Sequence, residues 1–212
     1  MMLRFKRLAQ NLALLVLLAF SGMGHAAITL VNSFGNNGNS ATTLSMAPPV
    51  TGNLTIAGDV MVAMVSINNG TGTINTPAGW TLINSVATGT RVRQSIYWKV
   101  AGASEGTTTW TFGATHLSSG ILIIYRGVVT VSPVDVFSGQ AVTSGTTTPI
   151  ALAVSPTVTN ERLIGCFTGE KGALTFTYPP LTPSPPGGLT VVVESKSLVA
   201  IAVFRPLAVI KL

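Results

Sequence analysis

A single cysteine, Cys166, is found in the 212 residues of this sequence. No disulfide can close within the chain, no lipid-attachment cysteine follows its N-terminal segment, and cysteine-rich zinc modules are excluded. Charge is equally scarce, because 8% of the residues are Asp, Glu, Lys or Arg against about 25% in an ordinary soluble domain. Two histidines and six acids complete the inventory, and one of those histidines, His25, lies in the N-terminal segment. Hydrolytic catalysis needs converging polar groups, and a metal centre needs clustered ligands. The His pairs, Asp-x-Asp runs, phosphate loops and dinucleotide fingerprints that mark such sites are missing, so no enzyme activity, metal or other cofactor is expected. A sustained 3.6-residue apolar period is absent as well, so the sequence predicts no amphipathic helix.

What is present begins with Arg4, Lys6 and Arg7, an apolar run from Leu12 to Phe20, and small residues ending in Gly24-His25-Ala26. That order is the pattern of a secretory signal peptide cut after Ala26. The run falls short of the roughly 20 apolar residues of a membrane span. Residues 1–26 are therefore read as an export signal and residues 27–212 as one domain, secreted, periplasmic or at the cell surface. Loss of the segment takes three of the twelve basic residues with it, leaving nine against six acids. So small an excess argues against a nucleic-acid partner. Membrane contact is expected only through the signal peptide during export.

The chain is organised around Gly58 to Ile83. A Gly-Asp turn leads into the apolar run Val60 to Ile67, which is too short for a stand-alone helix and reads as a buried strand. Asn68, Asn69, Gly70 and Gly72 break it, and Pro77-Ala78-Gly79-Trp80 turns the chain into another strand. A degraded copy follows Asn160-Glu161-Arg162, with Tyr178-Pro179-Pro180 in place of the second turn, which suggests two related half-sheets. Further strands are predicted near Ala27 to Val31, Asn53 to Ile56, Thr81 to Ala87, Val92 to Val100, Thr107 to Phe112, Gly120 to Tyr125, Ile150 to Val154, Arg162 to Phe167, Leu174 to Tyr178, Leu189 to Val193 and Leu198 to Phe204. Ser33 to Thr43 and Gly139 to Thr148 read as polar loops, and the proline-rich Pro179 to Gly188 as a surface connection. The expected fold is all-β, an antiparallel β-sandwich of the jelly-roll or immunoglobulin-like kind. Val60, Val62, Met64, Trp98, Trp110 and Ile123 are its expected core.

Gly58-Asp59, Pro77-Ala78-Gly79-Trp80, Tyr97-Trp98-Lys99-Val100-Ala101, Thr109-Trp110-Thr111-Phe112 and Tyr125-Arg126-Gly127-Val128 before Pro133-Val134-Asp135 form an ordered set of motifs. In this the chain resembles a family of secreted bacterial and phage-associated β-sandwich domains, most of them uncharacterised. The resemblance runs from about Gly58 to Phe204 and departs from the pattern after Tyr178. Its motifs are turn and core patterns, which imply a fold and no catalytic residues.

Several residues invite chemistry. Asp59, Asp135 and Glu161 stand beside strand starts, where capping a turn is the ordinary role. His116 reads as a solvated loop residue, Cys166 as a buried small hydrophobe, and Trp80, Trp98 and Trp110 as core anchors. The strand Arg91 to Val100 is the most informative. Val92, Ile96, Trp98 and Val100, with Gln94 the exception on their side, alternate with Arg91, Arg93, Ser95, Tyr97 and Lys99, which predicts a wet, basic face bearing one aromatic ring. Arg91, Arg93, Tyr97 and Lys99 are the candidate ligand-binding residues, for a glycan or an anionic surface polymer. A charged strand edge or an ordinary solvated face is the plainer reading.

These features give two functional expectations. One is a non-catalytic extracellular recognition or adhesion module that binds cell-surface polysaccharide or another envelope component. The alternative is a structural, self-associating subunit of a surface fibre, layer or phage-like assembly, to which the low charge and the apolar end Leu207 to Leu212 would suit it.

Overall fold

The computed structural model describes residues 27–52, 54–141, 152–158, 161–166 and 168, with residue 39 and residues 204–210 described as backbone only. The described chain is an antiparallel all-β sandwich, and no helix occurs among the described residues. Its strands are β1 (Thr29–Met46), β2 (Val60–Ile67), β3 (Ile74–Asn75), β4 (Thr81–Thr88), β5 (Val92–Val100), β6 (Thr108–Arg126), β7 (Val134–Ala141), β8 (Arg162–Gly165) and β9 (Phe204–Ile210). The larger sheet has the order β1-β6-β2-β5-β4, with β3 also paired to β6, and the smaller one has the order β7-β9-β8.

β2 lies between β5 and β6, and its largely apolar run follows from burial on both faces. The two-residue alternation then sorts its side chains. Met61, Ala63, Val65 and Ile67 join one core with Tyr97, Leu122 and Ile124. Val60 and Val62 join the other with Ile96, Ile123, Tyr125, Ile164 and Cys166. The second core fills the space toward the small sheet, since Ile164 belongs to β8. Gly139 of β7 adds a contact across the layers, resting directly on Asn84 and Val86 of β4.

The first core is closed by a fold-back. β1 and β6 form a ribbon whose inner part pairs Asn32–Gly38 with Ser118–Ile124 and whose outer part pairs Thr43–Met46 with Thr108–Thr111. Register shifts between Gly38 and Ala41 and between Ala41 and Thr43 separate the two parts, and irregularities of that kind bend a strand. The outer part swings over the sheet. A Cβ at Gly120, on the inner part, would lie 2.8 Å from Leu44 Cδ2 and 2.9 Å from Met46 Sδ on the outer part, so the glycine admits the close approach. β3 pairs with Phe112 and Thr111 and widens this cover.

Several expectations are corrected here. Ser33 to Thr43 is no loop, because its backbone is strand β1, supported by the apolar half of β6. The two strands expected at Thr107 to Phe112 and Gly120 to Tyr125 are one bent strand. β3 and β7 were not expected, and no strand forms at residues 54–56 or 152–154. The apolar end from Leu207 includes most of β9. Val60, Val62, Trp110 and Ile123 are buried as expected, whereas Met64 and Trp98 are partly exposed. The signal segment, the strands expected at Leu174 to Tyr178 and Leu189 to Val193, the Tyr178 turn and the connection from Pro179 lie outside the described residues.

The strands at the two ends of the larger sheet share two features. Neither β1 nor β4 contains a charged residue or a proline. On each, asparagine side chains accept hydrogen bonds from the next backbone N–H: Ser33 N–H to Asn32 Oδ1, Asn37 N–H to Asn36 Oδ1 and Ser85 N–H to Asn84 Oδ1, each at 2.8 Å.

Candidate functional site

β5 pairs with β2 from Arg93 to Val100 and with β4 on its other side. The expected wet face is therefore a face of a central strand, and the folded-back ribbon covers much of it. Tyr97 is fully buried, at 0% exposure, and Ser95 is 2% exposed. The Tyr97 ring packs 6.0 Å from that of Trp110, which in turn lies 5.2 Å from Trp80. Its hydroxyl donates to the Ile74 carbonyl at 3.3 Å, and burial pushes its phenol pKa up. Tyr97 is thus a core residue, and the expectation of an exposed stacking ring is corrected. The alternation of polar and apolar residues concealed this, because Tyr and Ser satisfy a dry face as well as a wet one.

The three cations separate from one another. Arg93 is partly buried, donating to the Gly70 carbonyl at 2.8 Å and to Ser85 Oγ at 3.1 Å. It ties the Asn68–Gly72 loop to β4. Gly70 is pressed against the Gly89 backbone, so the loop and the β4–β5 turn meet at that point. Lys99 forms an ion pair with Glu105 at 2.7 Å, and Glu105 also accepts the Gly102 N–H at 2.7 Å. Arg91 is exposed at the turn. Arg91, Arg93, Tyr97 and Lys99 therefore do not converge on one exposed surface.

The acids hold structure in the same way. Asp59, 1% exposed, takes Arg126 Nε and Nη2 on its two carboxylate oxygens at 2.8 and 2.9 Å and accepts the Ile56 N–H at 2.9 Å. The Arg126 pKa is raised through the hydrogen bond and charge of Asp59. Asp135 accepts from the N–H and hydroxyl of Thr157 at 2.7 and 2.6 Å. Glu161 has its pKa raised by burial and by the nearby Asp135 charge.

His116 departs from expectation. It belongs to β6 and is 8% exposed, with its ring 6.2 Å from that of Phe112. The paired bonds between Asn68 and Leu117, N–H to carbonyl and N–H to Oδ1 at 3.0 Å each, clamp the adjoining loop beside it. Cys166 is buried as expected, and burial pushes its thiol pKa up to about 12. Trp80 and Trp110 are core anchors, while Trp98 is only partly buried.

One surface was not anticipated. Because Leu44, Met46, Trp110 and Phe112 point into the core, alternation turns Thr43, Ser45, Thr109 and Thr111 outward. Thr43 stands opposite Thr111, and Ser45 opposite Thr109. Ser45 Oγ and Thr109 Oγ1 are 2.8 Å apart, and Asn75 Nδ2 donates to Thr111 Oγ1 at 2.9 Å. The Thr-x-Thr spacing from Thr109 to Thr111 carries the signal in the sequence, but only the fold-back brings Thr43, Ser45 and Asn75 beside it.

Comparison with protein-family models, curated proteins and solved structures finds no match for this chain.

Proposed function

We propose that this chain is a non-catalytic, exported recognition module, and that the outer face of the β1–β6 ribbon binds a neutral cell-surface polysaccharide. The observation that carries the reading is the hydroxyl and amide array of Thr43, Asn75, Thr109 and Thr111, all exposed, with the half-buried Ser45 among them. It is uncharged, it lies on sheet backbone, and its rows repeat about every 6.5 to 7 Å along a strand. Hydroxyls and amides both donate and accept hydrogen bonds, which suits a neutral sugar polymer better than an anionic one. Each contact is worth about 1 kcal/mol, so binding is weak per site and depends on the length of the polymer.

The absence of catalysis is supported by the engagement of Asp59, Glu105 and Asp135 in structural hydrogen bonds. The basic strand is the weaker ligand candidate, since Arg93 and Lys99 hold neighbouring loops. Export from the cytoplasm and membership of the bacterial and phage-associated domain family belong to the same proposal. They rest on the N-terminal pattern and on the Gly58-Asp59 to Tyr125-Arg126 motif order.

The test is a binding screen of the chain from residue 27 onward against immobilised neutral and acidic polysaccharides and whole bacterial cells. Retention on neutral polymers or cells, competed by soluble oligosaccharide, is the expected result. A folded protein retained on none of these surfaces would overturn the reading.

A further inference from the structure

An asparagine side chain brings one acceptor oxygen and two N–H donors to wherever it stands. In Asn32, Asn36, Asn68, Asn69 and Asn84 the oxygen is spent on the fold, since each Oδ1 accepts a backbone N–H at 2.8 to 3.1 Å. Asn75 is different. It is exposed on the ribbon face, its Nδ2 donates to Thr111 Oγ1 at 2.9 Å, and its Oδ1 takes no donor among the described residues. The carbonyl oxygen and one N–H are therefore left to solvent, on a side chain whose direction the Thr111 bond already fixes.

The footing of Asn75 is firm. Ile74, its only neighbour in β3, is buried in the first core, pairs with Phe112 and takes the Tyr97 hydroxyl on its carbonyl at 3.3 Å. Asn75 stands opposite Thr111, and Thr111 opposite Thr43, so these three exposed side chains form one row across three strands. Neighbours in such a row lie about 4.5 to 5.5 Å apart. β-Branching confines the threonine hydroxyls to few rotamers, and Thr111, which accepts from Asn75, keeps its own O–H to donate. Trp110 and Phe112, the neighbours of Thr111 along β6, turn into the core. The row thus meets a sugar through hydrogen bonds and not through ring stacking.

From this geometry we infer that Asn75 determines specificity on the ribbon face, and that it selects neutral polysaccharides carrying free vicinal diols. The inference rests on the reading of that face as a polysaccharide site. Two hydroxyls on adjacent ring carbons match what the row presents. One donates to Asn75 Oδ1, and its neighbour accepts from the remaining amide N–H or from the Thr111 hydroxyl beside it. Thr43 takes a further hydroxyl along the row. A polymer without the diol meets Asn75 through one bond instead of two, and the difference recurs at every bound copy of the motif.

The experiment measures retention of the chain from residue 27 onward, and of its Asn75→Ala variant, on immobilised glucans linked through carbon four or through carbon three, with whole bacterial cells alongside. Linkage through carbon four leaves the hydroxyls of carbons two and three as a vicinal pair, whereas linkage through carbon three leaves none in the body of the chain. The carbon-four glucan and the cells are also tested after periodate oxidation and borohydride reduction, which cleave the bond between the diol carbons and leave alcohols. The untreated carbon-four glucan should retain the parent about tenfold more strongly than the other two glucans do, equivalent to one or two lost contacts. Asn75→Ala should bind all three alike, at the weaker level. Equal retention of the parent on the three glucans would overturn the inference and leave the polysaccharide reading standing, and so would a variant that still prefers the diol. Where cells alone retain the parent, periodate treatment should abolish that retention, and its survival would overturn the inference. A folded parent held by neither glucans nor cells would overturn both.

Discussion

Arg126 grips Asp59 through both carboxylate oxygens, at 2.8 and 2.9 Å, across 67 residues of sequence. The contact joins the Gly58-Asp59 turn to the end of β6, and Arg126 also reaches the Leu54 carbonyl at 3.1 Å. Gly58 supplies the positive φ of 88° that the turn requires, and its N–H and the Asp59 carbonyl bond the two sides of Ala101. Three chain segments therefore meet at one end of the sandwich, with the buried carboxylate joining the turn to Arg126 and backbone bonds joining it to Ala101. Asp59→Ala should lower stability by about 1 to 3 kcal/mol, because it leaves the Ile56 N–H without its acceptor and takes the carboxylate from the guanidinium, which keeps the Leu54 carbonyl. Urea unfolding checks this, and the midpoint should fall without a change of slope.

Tyr97 gives the second expectation. Tyr97→Phe should cost about 1 kcal/mol, the worth of its hydrogen bond to Ile74. Tyr97→Ala should cost about 3 to 5 kcal/mol, as for other large aromatic core truncations. Thermal melts of the two variants separate this core role from that of an exposed ligand-stacking ring, for which both changes would be nearly neutral.

Much of this fold was legible. The apolar run of β2 and the turns around it fixed a buried central strand, and the bounds of β5 follow directly from its alternation. The fold-back was not legible. Ser33 to Thr43 has the composition of a loop, and it becomes strand because β6 lends it a ladder and because an edge tolerates Asn and Gly. That long-range pairing is also why the polar side of β5 proved dry. His116 was misread for the same reason, since the bend that buries it depends on a partner strand some 70 residues away in sequence.

Cys166 should resist thiol reagents. Its pKa of about 12, raised by burial, leaves almost no thiolate at pH 8, and the thiolate is the reactive form. Titration with a chromogenic disulfide should label well under one thiol per chain in the native state and one per chain in denaturant. Prompt native labelling would contradict the placement of β8 against the large sheet.

Glu161 sets a pH dependence. Its folded-state pKa lies above the ordinary value of 4.5, first through burial and then through the Asp135 charge. The unfolded chain then loses this proton at a lower pH than the folded one. The group's stabilising contribution is complete below pH 4.5 and is lost as the pH rises through the folded value. Glu161→Gln should therefore leave stability at pH 7 equal or slightly higher and flatten its slope above pH 4.5. Denaturant melts across pH 4 to 7 read this directly. A steeper slope in the variant would contradict the assignment.

The central functional claim places recognition on the neutral ribbon face. The most direct measurement is retention on polysaccharide or cells of three folded proteins side by side: the chain from residue 27, its Thr43→Asp/Thr109→Asp/Thr111→Asp variant, and its Arg91→Ser/Arg93→Ser/Lys99→Ser variant. The ribbon variant should lose retention by about tenfold or more, equivalent to one or two lost contacts, and the basic-strand variant should bind nearly as the parent does. Loss of binding in the basic-strand variant with the ribbon variant unaffected would contradict it, and would return the ligand to Arg91 and its neighbours.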